Sequence, residues 1–317
     1  MSDMGKDKNA AELRAKQSLP LELKVGISRE RIQEWYEHWN GDVSISVSGG
    51  LDSTVLLHLV RSVYPDVKAV FADTGLEFPE NRRFLFDNVD NLETVRPKMN
   101  FREVIDKYGY PLVSKRISKY ISEARNSRDK NGTDSFMYKL RTTGMKRDGR
   151  FMNMDKISNK WLYLIDAPFK ISDKCCQCLK KEPLSKLNAP FTGQRVEESN
   201  RREMTYLMMG CNLFDAKRPL SNPMSFWTHQ DVIDYISLHN LKYSPLYDMG
   251  YKRSGCVFCM FGCHLEGYPN RFIRLKETHP KLWQYCIYEL NLKEPLEYIG
   301  IDYGCGFKGE FNFEYGN

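Results

Sequence analysis

The chain has 317 residues, 41% of them hydrophobic and 28% charged, with a formal net charge of +6. That length suits one large or two modest domains, and the mild positive charge favours anionic ligands without specifying nucleic acid. No run approaches 18 apolar residues, so no membrane span is expected. Met1 to Lys16 is charged and lacks an apolar stretch, so no secretory signal is expected and the expected location is the cytoplasm. Cysteine is more informative. There are nine, an odd number, and six fall in two tight groups, Cys175, Cys176 and Cys178, then Cys256, Cys259 and Cys263. Such clustering in a chain that needs no disulfides points to a metal or cluster site.

In chain order, residues 1–26 are polar and are expected to be a flexible N-terminal segment. Ser28 to Asn40 carries Ile32, Trp35, Tyr36 and Trp39 at helical spacing, and these aromatics are expected to pack rather than to bind. Val43, Ile45 and Val47 alternate with small polar residues, which predicts a buried strand. Ser48, Gly49 and Gly50 break it, and Thr54 to Val60 supplies an apolar helical face. Strand, glycine loop and helix together aim unpaired backbone N–H groups and a helix dipole at one point, where a phosphate fits. Ser48 and Ser53 add hydroxyls. A ligand-free βα turn is the plainer reading of two glycines. The full string Ser48-Gly-Gly-Leu-Asp52-Ser53 is more specific than that, and it is neither a Walker loop nor a dinucleotide fingerprint.

Val67 to Phe71 predicts a second strand. It ends in the polar loop Asp73-Thr74-Gly75-Leu-Glu-Phe-Pro-Glu80, where Pro79 also suits a helix entry. Leu92–Val95 predicts a third strand and Phe101–Tyr108 a helix, so this half of the chain implies a parallel, helix-covered sheet. Residues 115–150 hold eleven Lys/Arg against four Asp/Glu, a local charge of +7. A solvated loop is the default expectation for that run, and a surface that grips a polyanion is the sharper one. Trp161–Ile165 predicts a further strand. Thr228 with Asp231 predicts a capped helix running to His239, and the segment to Leu292 reads as helical.

These strings, together with Cys175-Cys176, Lys181-Glu-Pro-Leu184, Gly193-Gln-Arg195-Val-Glu-Glu-Ser199, Asn222-Pro, Tyr243-Ser-Pro-Leu-Tyr247 and Gly255-Cys256-Val-Phe-Cys259, stand in one order. In that order the chain resembles the phosphoadenosine-phosphosulfate/adenylyl-sulfate reductase family of the PP-loop adenine-nucleotide α-hydrolase superfamily. The resemblance implies a doubly wound, mostly parallel α/β sheet with helices on both faces. A PP-loop nucleotide-binding domain over 27–255 would carry the basic insertion at 115–150, and a helical, cysteine-rich C-terminal part over 256–317 would pack on it.

By resemblance, Ser48, Gly49, Gly50, Asp52, Ser53, Asp73, Thr74, Gly75, Gly193, Arg195 and Ser199 would bind the nucleotide. That nucleotide would be ATP, adenylyl sulfate or its 3′-phosphorylated form. Arg195 would hold sulfate or phosphate bidentately, with a salt bridge to Glu198 as the alternative. Cys175, Cys176, Cys256 and Cys259 would hold a [4Fe–4S] cluster, of the cluster-containing branch. Zinc is the alternative for Cys-x-x-Cys, and either Cys178 or Cys263 is a candidate to replace Cys175. Lys174, Lys180 and Lys181 would offset cluster charge.

The family's reductases end in Glu-Cys-Gly-x-His, a string this chain lacks; Cys305, in Tyr-Gly-Cys-Gly-Phe, is its only cysteine near the end. Three functions follow. In a reductase, Cys305 would attack the sulfonucleotide sulfur and a thioredoxin-like donor would release sulfite. In an ATP pyrophosphatase-type sulfurtransferase, a nucleic acid would be adenylated and thiolated, with a cysteine-desulfurase-type sulfur donor. The third is a non-catalytic nucleotide and redox sensor.

Overall fold

The structure is a computed structural model that describes residues 3–306. Its elements in chain order begin with α1 (Asp3–Gln17), α2 (Leu21–His38), β1 (Ser44–Val47), α3 (Leu51–Arg61), β2 (Ala69–Ala72), α4 (Pro79–Asn88) and β3 (Leu92–Val95). Then come α5 (Phe101–Tyr108), α6 (Lys115–Asn131), α7 (Phe136–Thr143), α8 (Lys174–Cys176), β4 (Pro190–Phe191), α9 (Asn200–Met209), β5 (Asn212–Leu213) and β6 (Leu220–Ser221). The last are α10 (His229–Leu238), α11 (Arg271–Thr278), α12 (Pro280–Gln284) and α13 (Lys293–Tyr298). No helix among the described residues is long and apolar enough to cross a membrane.

The chain forms two compact units, and neither is one continuous stretch. The first comprises 1–73, 77–96 and 183–254, and the second 74–76, 97–182 and 255–317. The basic run at 115–150 falls within the 97–182 segment of the second unit. Residues 307–317 of the expected C-terminal part lie outside the described residues.

The first unit is built on a six-stranded sheet in the order β3-β2-β1-β4-β6-β5. All pairs are parallel except β5 with β6. The chain winds outward from β1 through β2 to β3 and later returns to pair β4 with the other side of β1, Ile45 opposite Phe191. That reversal makes a switch point at the carboxyl ends of β1 and β4, where open α/β sheets leave a crevice. Ile45, Val47, Leu56, Leu59, Phe71 and Phe191 are buried around it.

Trp35 and Trp227 are fully buried, as packing residues should be, and each finds a partner for its indole N–H. Trp35 donates to the carbonyl of Ala189 at 2.9 Å and Trp227 to Ser28 Oγ at 3.0 Å. Lys24, 2% exposed, is satisfied by Asp231 at 2.6 Å. Asp231 also closes the capping box that Thr228 begins, so α10 starts where the sequence predicts.

Three expectations differ from what is found. Residues 3–17, expected to be flexible, form α1, whose Leu13 joins the core. Trp161–Ile165 is not a strand but part of a 3-10 helix over Asn159–Asp166. Its buried residues, Trp161, Leu164 and Ile165, sit three and four apart, a helical period rather than an alternation. The basic run is not a loop: α6 buries Ile117, Ile121 and Ala124 at the same spacing, and half of its remaining residues are Lys, Arg or Glu, which are good helix formers.

Candidate functional site

At the switch point of the first unit, β1 ends in the loop Ser48–Gly50 and α3 begins at Leu51. Ser53 Oγ accepts from the Ser48 N–H at 3.2 Å and donates to the Gly50 carbonyl at 2.9 Å, which ties the loop to the first turn of the helix. Gly49 has φ +73°, and a side chain there would stand 2.9 Å from the Asn81 carbonyl. A Cβ on Gly50 would lie 2.5 Å from Ser254 Oγ, so this backbone is closely packed from above as well. No side chain caps α3 from its own N-terminus. The Leu51 N–H instead donates to the hydroxyl of Tyr247 at 3.1 Å. This end of α3 therefore presents backbone donors and a positive dipole to the crevice.

The segment after β4 delivers Gly193 and Arg195 to the same place. A Cβ on Gly193 would lie 3.1 Å from the Asp52 backbone. Arg195 is only 5% exposed; its Nε meets Asp52 Oδ1 at 2.6 Å and its Nη1 meets Glu197 Oε2 at 2.6 Å. The expected alternative partner, Glu198, accepts from the Arg195 backbone N–H at 3.0 Å and pairs with Arg202. Two carboxylates thus hold one guanidinium beside the loop.

Asp73, buried at the end of β2, lies 3.2 Å from Arg82 and 3.6 Å from Arg96. In the second unit, Thr74 Oγ1 accepts from the Leu76 N–H at 3.2 Å, and Gly75 has φ +74°. Ser199 caps α9 through the Arg202 N–H. The structure therefore gathers Ser48, Gly49, Gly50, Asp52, Ser53, Gly193 and Arg195 at the switch point, puts Asp73 on the neighbouring strand, and gives Ser199 a helix-capping bond.

The second unit holds eight of the nine cysteines, and Cys211 lies in the first. Cys175, Cys176, Cys256 and Cys259 line one cavity with Leu76, Phe101, Pro111, Leu179 and Lys180. Cys175 and Cys176 have their sulfurs 4.0 Å apart. The thiol of Cys175, donating to Cys176, pulls the latter's pKa down against the cost of burial, helped by Lys115 and Lys180. The same bond and burial push Cys175 up. Burial likewise raises Cys259, against the pull of Arg271, which donates to the Cys259 carbonyl at 2.8 Å.

Cys178 and Cys263 are buried but do not line the cavity, and burial pushes Cys263 up to about 12. Among the described residues no three His, Cys, Asp or Glu side chains form a ready single-ion site. The four thiols surround an apolar space, and that donor set suits Cys₄ ligation of a cluster. Of the three lysines expected to offset its charge, only Lys180 lines the cavity.

Cys305 is exposed on a turn held from several sides. Asp302 Oδ1 accepts from the Gly304 and Cys305 N–H groups at 2.8 and 3.2 Å, Lys276 Nζ donates to the Gly304 carbonyl, and Trp283 Nε1 donates to that of Tyr303 at 2.7 Å.

Sequence reasoning did not single out Tyr247, Ser254, Glu197, Arg82, Arg96 or Lys115 as site residues. Tyr247 acts through a contact distant in sequence, meeting the loop 196 residues away; Glu197 and Arg82 lie two and nine residues from their partners, Arg195 and Asp73, but nothing local marks them among the chain's many charges.

Comparison with known proteins gives the same assignment as the motifs. Residues 42–126 and 137–261 match the phosphoadenosine phosphosulfate reductase domain. An adenosine 5'-phosphosulfate reductase of Bacillus cytotoxicus is 26% identical over 233 residues, covering 72% of this chain and 77% of that protein. A phosphoadenosine 5'-phosphosulfate reductase of Xanthomonas oryzae is 29% identical over 228 residues, covering 71% and 74%. Among solved structures, the phosphoadenylyl-sulfate reductase of Candida auris has a TM-score of 0.41 at 18% identity, covering 81% of this chain and 96% of that one. The U34-tRNA thiolase NcsA of Methanococcus maripaludis, with its [4Fe-4S] cluster, has a TM-score of 0.36 at 14% identity, covering 89% and 82%. With both of its matched segments spanning the loop, Arg195 and the four cavity cysteines, the chain belongs to the phosphoadenosine phosphosulfate reductase domain family.

Proposed function

We propose that this protein is an enzyme that reduces a sulfonucleotide, adenylyl sulfate or its 3′-phosphorylated form, to sulfite and the free nucleotide. The observation that carries this reading is the buried Arg195 clamped by Asp52 and Glu197 beside a helix start whose N-cap, Gly50, offers no side chain. Backbone N–H groups of the loop and first turn of α3, with the Ser48 hydroxyl, would take the anionic oxygens. Arg195 would stabilise the charge that grows on the leaving phosphate oxygen. Asp52 and Glu197 keep its guanidinium oriented, which limits the reorganisation needed at the moment of reaction.

The nucleophile in this reading is Cys305. Its thiolate attacks the sulfonate sulfur, an S–S bond forms, the bond between sulfur and the bridging phosphate oxygen breaks, and that electron pair leaves with the nucleotide. A dithiol protein donor of thioredoxin type then attacks the Cys305 sulfur. It releases sulfite with the S–S electron pair and ends as a disulfide after restoring the Cys305 thiol. Cys175, Cys176, Cys256 and Cys259 are the residues that would hold a [4Fe–4S] cluster, which when bound supplies redox-active iron and concentrated negative charge. Lys180, and Lys115 next to Cys176, would balance that charge.

A second reading, ATP-dependent thiolation of a nucleic acid, is favoured by one observation. The turn bearing Cys305 is fastened by Asp302, Lys276 and Trp283 rather than hung on free glycines. Cys305→Ser separates the two readings. Reduction requires that it abolish sulfite release and that the parent enzyme, given substrate without reductant, carry a sulfite adduct on Cys305 by mass spectrometry. Full activity in Cys305→Ser, with no adduct on the parent, would remove the reductase reading.

A further inference from the structure

We infer that the second unit carries a docking surface for nucleic acid with unpaired bases, centred on the hairpin at residues 144–152. This goes beyond the reductase reading and does not depend on it. α7 ends at Gly144 in the left-handed conformation, with φ +82°. The chain then reverses: Met145 bridges Phe151, the Lys146 N–H donates to the Arg150 carbonyl at 2.9 Å, and the Met152 N–H to the Gly144 carbonyl at 2.9 Å. The tip between those bonds is Lys146-Arg147-Asp148-Gly149. Such a protruding turn needs an anchor, and Arg141 provides it. Only 8% exposed, Arg141 meets Glu123 at 2.7 Å and the Asp155 carbonyl at 2.7 Å, and lies over the Tyr120 ring.

The basic residues of this region divide into three kinds, and some are paired at the surface, as Lys146 is with Asp155 and Arg150 with Asp148. Arg141, and Arg125 bonded to the carbonyls of Ala167 and Phe169, hold the unit together. Others face outward: among the described residues Arg116 and Lys130 have no ion pair, and Arg147 has none but lies over the Phe136 ring at 4.6 Å. Cations on ring faces beside exposed apolar side chains complete the surface. Phe151 is 57% exposed with Lys156 over it at 5.7 Å, and Met154 is 70% exposed. Single strands are held in this way, by backbone charge together with flat apolar faces on which unpaired bases stack. A duplex would offer phosphates but no bases to the ring.

The test uses the full chain and fluorescein-labelled 20-nucleotide strands in anisotropy titrations from 50 to 300 mM salt. The expected result is binding of single-stranded RNA or DNA more tightly than a duplex of the same sequence, with affinity falling as salt rises. The RNA and DNA arms identify which strand is preferred. Phe151→Ala should weaken strand binding roughly tenfold. Arg147→Ala with Lys130→Ala should weaken it and reduce the salt slope by about 1.4. Both variants lie on the surface, and unchanged thermal melting and circular dichroism verify their folding. The inference is overturned if no strand binds at 50 mM salt, if both variants bind like the parent, or if only vesicles of anionic lipid are bound.

Discussion

The two candidate sites are built by opposite means. At the switch point of the first unit, regular elements do the positioning: β1 and β4 pair side by side, and each is followed at once by a loop that presents backbone donors or a clamped arginine. The cysteine cavity of the second unit rests on short, irregular turns. Cys175 and Cys176 stand in a three-residue α8 followed directly by a π-turn over Gln177–Lys181, and Cys256 and Cys259 stand in a loop. The first site is set by backbone geometry and needs few particular side chains. The second has little regular structure to define it, so the thiols themselves are its specification.

That contrast predicts separable losses. The largest effect belongs to the cavity: Cys256→Ser should leave the anaerobically purified protein with little or no iron, measured by metal analysis, while equilibrium dialysis against nucleotide gives parent-like binding. Iron retained at the parent level would place the ligands elsewhere. At the switch point, Arg195→Ala should weaken nucleotide binding roughly thirtyfold or more, the loss of a charge-assisted contact worth about 2–3 kcal/mol, without reducing iron content. A fall in iron with Arg195→Ala would mean that the two sites do not form independently. A smaller, purely structural effect tests the frame of the first unit. Lys24→Met strands Asp231 without its buried partner and should cost about 3 kcal/mol in urea unfolding, with iron per folded chain unchanged.

The same contrast explains what the sequence reveals. β3 and α5 coincide with the segments read from periodicity, and the capping box at Thr228 marks the start of α10, because these are local patterns. The PP-loop is legible for the same reason, since strand, glycines and helix are contiguous. Arg195 is legible as a motif, but its clamp by Asp52, 143 residues away, is not. The spacing of the cysteines signals ligation, and the resemblance names Cys175, Cys176, Cys256 and Cys259; these four line the cavity, and the neighbouring Cys178 and Cys263 do not. The basic run misleads because charge hides a helix: Ile117, Ile121 and Ala124 are too few among Lys, Arg and Ser to look like a core-facing stripe. The period is nevertheless present, and the helix follows it rather than the composition.

The most direct measurement is product analysis on the anaerobic, iron-loaded protein. It is incubated separately with adenylyl sulfate, phosphoadenylyl sulfate and ATP, in the presence of a dithiol protein donor. A sulfonucleotide reductase gives sulfite in stoichiometric amount with AMP or its 3′-phosphorylated form from one of the sulfonucleotides, and no pyrophosphate from ATP. Pyrophosphate from ATP, with no sulfite from either sulfonucleotide, would contradict the reductase reading.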